Sequence, residues 1–147
     1  MRILLVDDDE NKAREIGAFV SDAYGPDSLV VRRSYQSGLR EILLEKPDLV
    51  LLDMTMPNYD VSAREPGGRE RRYAGREILR QIERRQIAVP VVVITQYEQF
   101  EEDGREFTLA ELVATLRQLF PTCFVGAIYY QAGNTAWMTE LREYLTR

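Results

Sequence analysis

The chain predicts an α/β fold: a doubly wound, five-stranded parallel sheet of order 2-1-3-4-5 with helices on both faces. Three observations carry this expectation. Ile3-Leu4-Leu5-Val6 runs straight into Asp7-Asp8-Asp9-Glu10. Leu49-Val50-Leu51-Leu52 likewise stops on Asp53. Between and beyond these runs, strand-like apolar segments alternate with stretches of helical periodicity. An apolar run without polar alternation belongs to a strand buried on both faces. Strand and helix in strict alternation produce right-handed crossovers, and hence a parallel sheet covered on both sides.

The elements follow in order. After the first strand, Ala13, Ile16, Phe19, Val20 and Ala23 recur on one helical face until Tyr24-Gly25-Pro26 breaks the pattern. Leu29 to Arg32 is a short second strand. Leu39, Ile42 and Leu43 mark a second helix, closed by Lys46-Pro47, and the strand ending at Asp53 begins there. Gly75 to Arg85 carries Ile78, Leu79 and Ile82 at helical spacing, and Val89 to Thr95 reads as a fourth buried strand. Thr108 with Glu111 forms a capping box for a helix buried through Leu109, Leu112, Val113 and Leu116, which Phe120-Pro121 stops. Phe124 to Tyr130 is the fifth strand. Asn134 or Thr135 caps a last helix with Trp137, Leu141, Tyr144 and Leu145 inward. The order 2-1-3-4-5, the flavodoxin-like arrangement, sets strands 1 and 3 side by side at the topological switch point, where ligands bind in open sheets of this kind.

Asp7, Asp8 and Asp53 therefore converge at the C-terminal edge of the sheet. Carboxylates gathered there repel and raise one another's pKa unless a cation sits among them. The expected occupant is a hard divalent ion, Mg²⁺. Asp8 to Glu10 also suit the N-cap and first turn of the following helix, but capping does not account for Asp53.

Composition narrows the function. The 147 residues fit one domain, 1–147. Apolar runs are too short to cross a bilayer, and Met1-Arg2-Ile3 opens into a strand without a leader, so a cytoplasmic location is expected. The absence of histidine removes His-based zinc sites, Ser-His triads and any phosphohistidine on this chain. A net charge of −5 offers no nucleic-acid footprint. Cys123, the single cysteine, precedes an apolar run and reads as a core thiol. Asn58 to Ala74, with Glu65-Pro66-Gly67-Gly68 and Arg64, Arg69, Arg71 and Arg72, is long for a loop between strand and helix; it reads either as solvated loop or as a segment that covers the site or binds a partner.

At this point the chain resembles the receiver domain of two-component response regulators. The motifs are Val6-Asp7-Asp8-Asp9 after strand 1, Asp53-Met54-Thr55-Met56-Pro57 after strand 3, and Ile94-Thr95 ending strand 4. The resemblance implies that Asp53 accepts a phosphoryl group. It implies further that Asp8 binds Mg²⁺ directly, Asp7 through water and Thr55 through its carbonyl, and that Thr95 offers its hydroxyl to the phosphoryl group. The implied partners are a histidine kinase or phosphotransfer protein and a downstream protein target, with room for a homodimer and no contact with nucleic acid or membrane. Tyr129, Trp137 and Tyr144 border the surface through which the family signals. No enzymatic activity is implied beyond self-phosphorylation from small donors and self-dephosphorylation.

Two departures stand out. The family usually ends strand 5 with a lysine, and here Tyr130 or Gln131 takes that place. Either can hydrogen-bond, but neither carries a full charge. The second departure is the long loop, and the expectation is that Arg69, Arg71 or Arg72 closes over the phosphoryl group, with Lys12 held away by its helix. Two other readings stand beside the stand-alone response regulator: a pseudo-receiver binding module that does not cycle phosphate, and a Mg²⁺-dependent phosphohydrolase using Asp53 as nucleophile.

Overall fold

The computed structural model describes residues 1–57, 70–71, 74–102 and 104–147. Five parallel strands form its sheet: β1 (Ile3–Val6), β2 (Leu29–Arg32), β3 (Leu49–Leu52), β6 (Val91–Thr95) and β9 (Phe124–Tyr129). Their spatial order is β2-β1-β3-β6-β9, the expected order 2-1-3-4-5 of the long strands. Helices α1 (Glu10–Tyr24), α2 (Tyr35–Glu45), α3 (Ala74–Arg84), α4 (Leu109–Leu119) and α5 (Ala136–Leu145) connect them.

Side chains alternate across the central strands and so divide the core in two. Leu4, Val6, Val50, Leu52, Val91 and Val93 face α2, α3 and α4. Ile3, Leu5, Leu49, Leu51, Val92 and Ile94 face α1 and α5. Both sets are buried, which is why these runs lack polar alternation. Thr108 accepts from Glu111 N–H and the Glu111 carboxylate reaches back to Thr108 N–H, completing the expected capping box of α4. Cys123 is buried, and burial pushes its thiol up to about 12, so it behaves as a small core residue. Trp137 is also core: it meets Phe19 edge-on at 5.7 Å and Tyr130 at 5.4 Å. It is therefore not a surface aromatic.

Among the described residues, two antiparallel pairs lie outside the five-repeat pattern. β4 (Met56–Pro57) pairs with β5 (Glu70–Arg71), closing the base of the long segment after β3. Residues 58–69, 72 and 73 lie outside the described residues, as do the side chains at 56–57 and 70–71, and with them the expected closure by Arg69, Arg71 or Arg72. The second pair is a hairpin, β7 (Gln99–Glu102) and β8 (Arg105–Thr108), between β6 and α4. Phe100 and Phe107 stack across it at 5.6 Å, and the Glu102 carboxylate accepts two hydrogen bonds from Arg76 Nη1 of α3, at 3.0 and 3.1 Å. The sequence signal for this hairpin is Asp103-Gly104 between two short runs, a dipeptide suited to a two-residue turn. Among the described residues, no helix is long and apolar enough to cross a membrane.

Candidate functional site

The site is built at the C-terminal edge by register. Val6 pairs with Leu52, so the next residues, Asp7 and Asp53, stand side by side. Backbone hydrogen bonds fix both: Asp53 N–H donates to the Val6 carbonyl at 3.0 Å, and Asp7 N–H to the Arg32 carbonyl at 2.9 Å. Leu52 also pairs with Val93, which sets Thr95 at the same edge one strand along. Asp7, Asp8 and Asp53 each offer a carboxylate oxygen, and these oxygens lie within 4.8 Å of one another. The predicted convergence of the three acids is therefore present.

The closeness of α3 to this edge depends on one glycine. A Cβ on Gly75 would fall 2.4 Å from the Asp53 carbonyl oxygen and 2.9 Å from Met54 Cα. Gly75 N–H donates to the Met54 carbonyl at 3.1 Å, so the backbone that carries Asp53 is held against the first turn of α3. Met54 N–H in turn donates to Asp53 Oδ1 at 2.9 Å, orienting the carboxylate.

A cation does sit among the acids, and it comes from the chain itself. Lys12 is fully buried. Its Nζ lies 2.6 Å from Asp7 Oδ2 and 3.6 Å from Asp53 Oδ1, and it donates to the Ile94 carbonyl at 2.6 Å and to Gln96 Oε1 at 3.2 Å. This corrects the expectation that its helix holds Lys12 away. Asp9 caps α1 by accepting from Lys12 N–H at 3.1 Å, which places Lys12 in the first turn. Helical side chains lean towards the N-terminus of their helix, so a first-turn residue on the core face reaches back over the sheet edge. The signal was available: Lys12 continues the stripe of Ile16, Phe19 and Val20 by one turn. A lysine in an apolar stripe points to a buried partner.

Among the described residues, Lys12 is the ammonium seated among these acids. Burial pushes the Asp53 carboxyl up; Lys12 opposes this and Asp7 and Asp8 reinforce it, leaving Asp53 at about 7. Burial likewise raises the Asp7 carboxyl against the pull of Lys12. Three hard oxygen donors within reach of one another, with Asp8 partly open to solvent, fit a divalent cation. The site's clustered acids alone do not demand one, because Lys12 already relieves part of the repulsion.

The remaining predicted residues take these positions. Thr95 is buried at the end of β6, where its hydroxyl oxygen accepts from Tyr97 N–H at 3.2 Å. Thr55 is partly buried two residues past Asp53. Tyr130 follows β9, its N–H donating to the Thr95 carbonyl at 2.7 Å. Its ring, not its hydroxyl, lies towards Lys12, with Nζ 5.9 Å from the ring centroid. The hydroxyl donates to the carboxylate of Glu15 on α1. Burial, then Glu15, pushes the phenol well above its ordinary value, so it stays protonated. Gln131 is exposed.

Residues 3–117 match the family described as the response regulator receiver domain. The chain is 32% identical over 143 residues to the uncharacterized protein y4jR of Sinorhizobium fredii, covering 97% of this chain and 95% of that one. It is 28% identical to the Detocs response regulatory protein DtcB of Enterobacter cloacae, covering 99% of both. Among solved structures, the Mn²⁺-bound form of the response regulator Rcp1 superposes with a TM-score of 0.66 at 18% identity, over 98% of this chain and 91% of the other. At that identity the likeness speaks for the fold.

Proposed function

Because the chain belongs to the response regulator receiver domain family, we propose that it accepts a phosphoryl group on Asp53 from a partner histidine kinase or phosphotransfer protein and signals through protein contacts. The observation that carries this reading is the cluster of Asp7, Asp8 and Asp53 at one sheet edge, with a buried lysine among them. Two bacterial relatives of matching length, one named a response regulatory protein, support it.

The chemistry follows from the residues. An Asp53 oxygen attacks phosphorus as the P–N bond of the donor's phosphohistidine breaks; the leaving imidazole nitrogen takes a proton from solvent, and the product is an acyl phosphate. Backbone hydrogen bonds and Met54 N–H hold the Asp53 carboxylate in place, so little reorganisation is needed at attack. Asp8 and Asp53, with the Thr55 carbonyl, would hold Mg²⁺, and Asp7 would join them through water. When bound, Mg²⁺ neutralises phosphoryl charge and helps align the donor. Thr95 is assigned a hydrogen bond to the phosphoryl group, and Tyr130 a positioning role through its ring. Self-phosphorylation from small donors and self-dephosphorylation belong to the same proposal.

The internal ion pair of Lys12 with Asp7 also favours a second reading, a pseudo-receiver whose acids are already partly balanced and which does not cycle. One experiment separates the two. Intact mass is measured after incubation with Mg²⁺ and acetyl phosphate, on wild type and Asp53→Asn. The expected result is a single phosphoryl adduct on wild type, labile to hydroxylamine and absent from the variant. An unmodified wild type supports the pseudo-receiver, and an adduct surviving in Asp53→Asn removes Asp53 from the mechanism.

A further inference from the structure

Resting on the reading of Asp53 as the phosphoryl acceptor, we propose that Lys12, in the first turn of α1, is the cationic partner of the phosphoryl group and releases Gln96 when it takes that role. The ammonium is the one described cation seated among the acids, 3.6 Å from the Asp53 carboxylate. Arg33, another described cation near Asp8, lies half-exposed, bonded to Glu10 at 3.0 Å and to the Asp8 carbonyl at 3.1 Å. The end of β9 supplies no charge, because Tyr130 fills it with a ring whose hydroxyl is tied to Glu15. That ring walls in Lys12.

The count of donors makes Lys12 a switch. An ammonium has three N–H bonds; Lys12 donates to the Ile94 carbonyl and to Gln96 Oε1, and Asp7 Oδ2 lies 2.6 Å away as an ion-pair contact outside hydrogen-bonding geometry. A phosphoryl group on Asp53 adds strong anionic acceptors that compete, together with Asp7, for the donors of this ammonium. The contact most readily given up is Gln96, since it is the longest, is made to a neutral amide, and belongs to a partly exposed side chain that water can satisfy. Gln96 lies between β6 and the β7–β8 hairpin, which Glu102 ties to Arg76 of α3. Loss of the Lys12 contact therefore loosens the point where the hairpin joins the site.

The chain has two lysines, Lys12 and Lys46. Lysine labelled with ¹³C at Cε accordingly gives two side-chain signals, and Lys46→Arg assigns them. Beryllofluoride is titrated at saturating Mg²⁺ into wild type, Lys12→Met, Gln96→Ala and Arg33→Ala, and Mg²⁺ alone is titrated in parallel. The mimic is expected to shift the Lys12 signal and leave Lys46 in place. Lys12→Met is expected to lose about tenfold or more in mimic affinity, the worth of one charge-assisted hydrogen bond, while Mg²⁺ binding holds or tightens. Gln96→Ala is expected to bind the mimic more tightly, because a competitor for the ammonium is gone. A Lys12 signal unmoved by bound mimic overturns the proposal even if Lys12→Met does not fold. Equal losses in Lys12→Met and Arg33→Ala overturn it too, and unchanged affinity in Gln96→Ala overturns the release. Failure of the wild type to bind beryllofluoride is distinct, since it removes the phosphoryl reading of Asp53 itself.

Discussion

The two ends of β1 and β3 carry ionic clusters of opposite character. At the N-terminal end, Arg2 N–H donates to Asp48 at 2.7 Å and the Arg2 guanidinium to the Glu45 carbonyl at 2.9 Å, with the Glu45 carboxylate 3.7 Å away. The Arg2 and Glu45 side chains are 69% and 57% exposed. At the C-terminal end, Lys12 and Asp7 meet at 2.6 Å with both side chains wholly buried. Exposed pairs are screened by water and contribute little. Buried ones have surrendered hydration, so removing one partner strands the other. The difference comes from cover: the first turn of α1 closes over the acidic edge, and no such cover lies over Arg2. Charge held out of water at such cost supports the phosphoryl-acceptor site proposed for this edge.

The strongest way to break this contrast is Lys12→Ala. It leaves Asp7 and Asp53 buried without their cation and is expected to lower unfolding free energy by about 3–5 kcal/mol in urea. Adding Asp7→Asn should recover a good part of that loss. Equal stability of Lys12→Ala and wild type would show the pair to be hydrated, and the contrast would collapse.

Gly75→Ala comes next, because its methyl must displace the backbone of Asp53 and Met54. A loss of about 1–3 kcal/mol is expected, together with weaker Mg²⁺ binding. Both are read from melts with and without the ion. Wild-type affinity for Mg²⁺ in the variant would mean that the backbone shift bypasses the carboxylate.

Mg²⁺ sharpens the comparison by acting on one end alone. At ten times its dissociation constant it should stabilise the protein by about 1.4 kcal/mol. Asp8→Asn should weaken this gain more than Asp7→Asn, since Asp7 is engaged by Lys12. A gain that survives Asp8→Asn would relocate the ion.

Glu83 tests an intermediate case. Burial tends to raise its carboxyl, but N–H donors of Thr122 and Cys123, both at 3.1 Å, outweigh this and hold it below its ordinary 4.5. A lowered acid stabilises the fold above its unfolded value and loses that contribution as pH falls through the folded one. Glu83→Gln should therefore be less stable than wild type at pH 7 and converge with it in acid. Parallel stability curves would show that the charge is immaterial.

The smallest effect is expected from Arg2→Ala, about 0.2–1 kcal/mol and fading with added salt. A loss as large as that of Lys12→Ala would erase the distinction between the two edges.

By itself the sequence determined the sheet, because Ile3–Val6, Leu49–Leu52 and Val91–Ile94 are apolar without alternation and such strands are stable only when covered on both faces. It determined the acidic edge too: parallel strands share a direction, so acids that follow apolar runs must gather at one end. The β7–β8 hairpin was less legible, since its four-residue strands are half-exposed and only Asp103-Gly104 marks the turn. That Lys12 meets the acids was decided by tertiary structure. In sequence, the arginines of the long segment and Lys12 were rivals, and reach favoured the segment. In the fold, the N-terminal lean of a first-turn side chain and the docking of α1 beneath the sheet carry Lys12 into contact with Ile94 and Gln96, 82 and 84 residues away. Local sequence records the lysine and its stripe, but its partners exist only once the distant strand β6 has been laid beside β3.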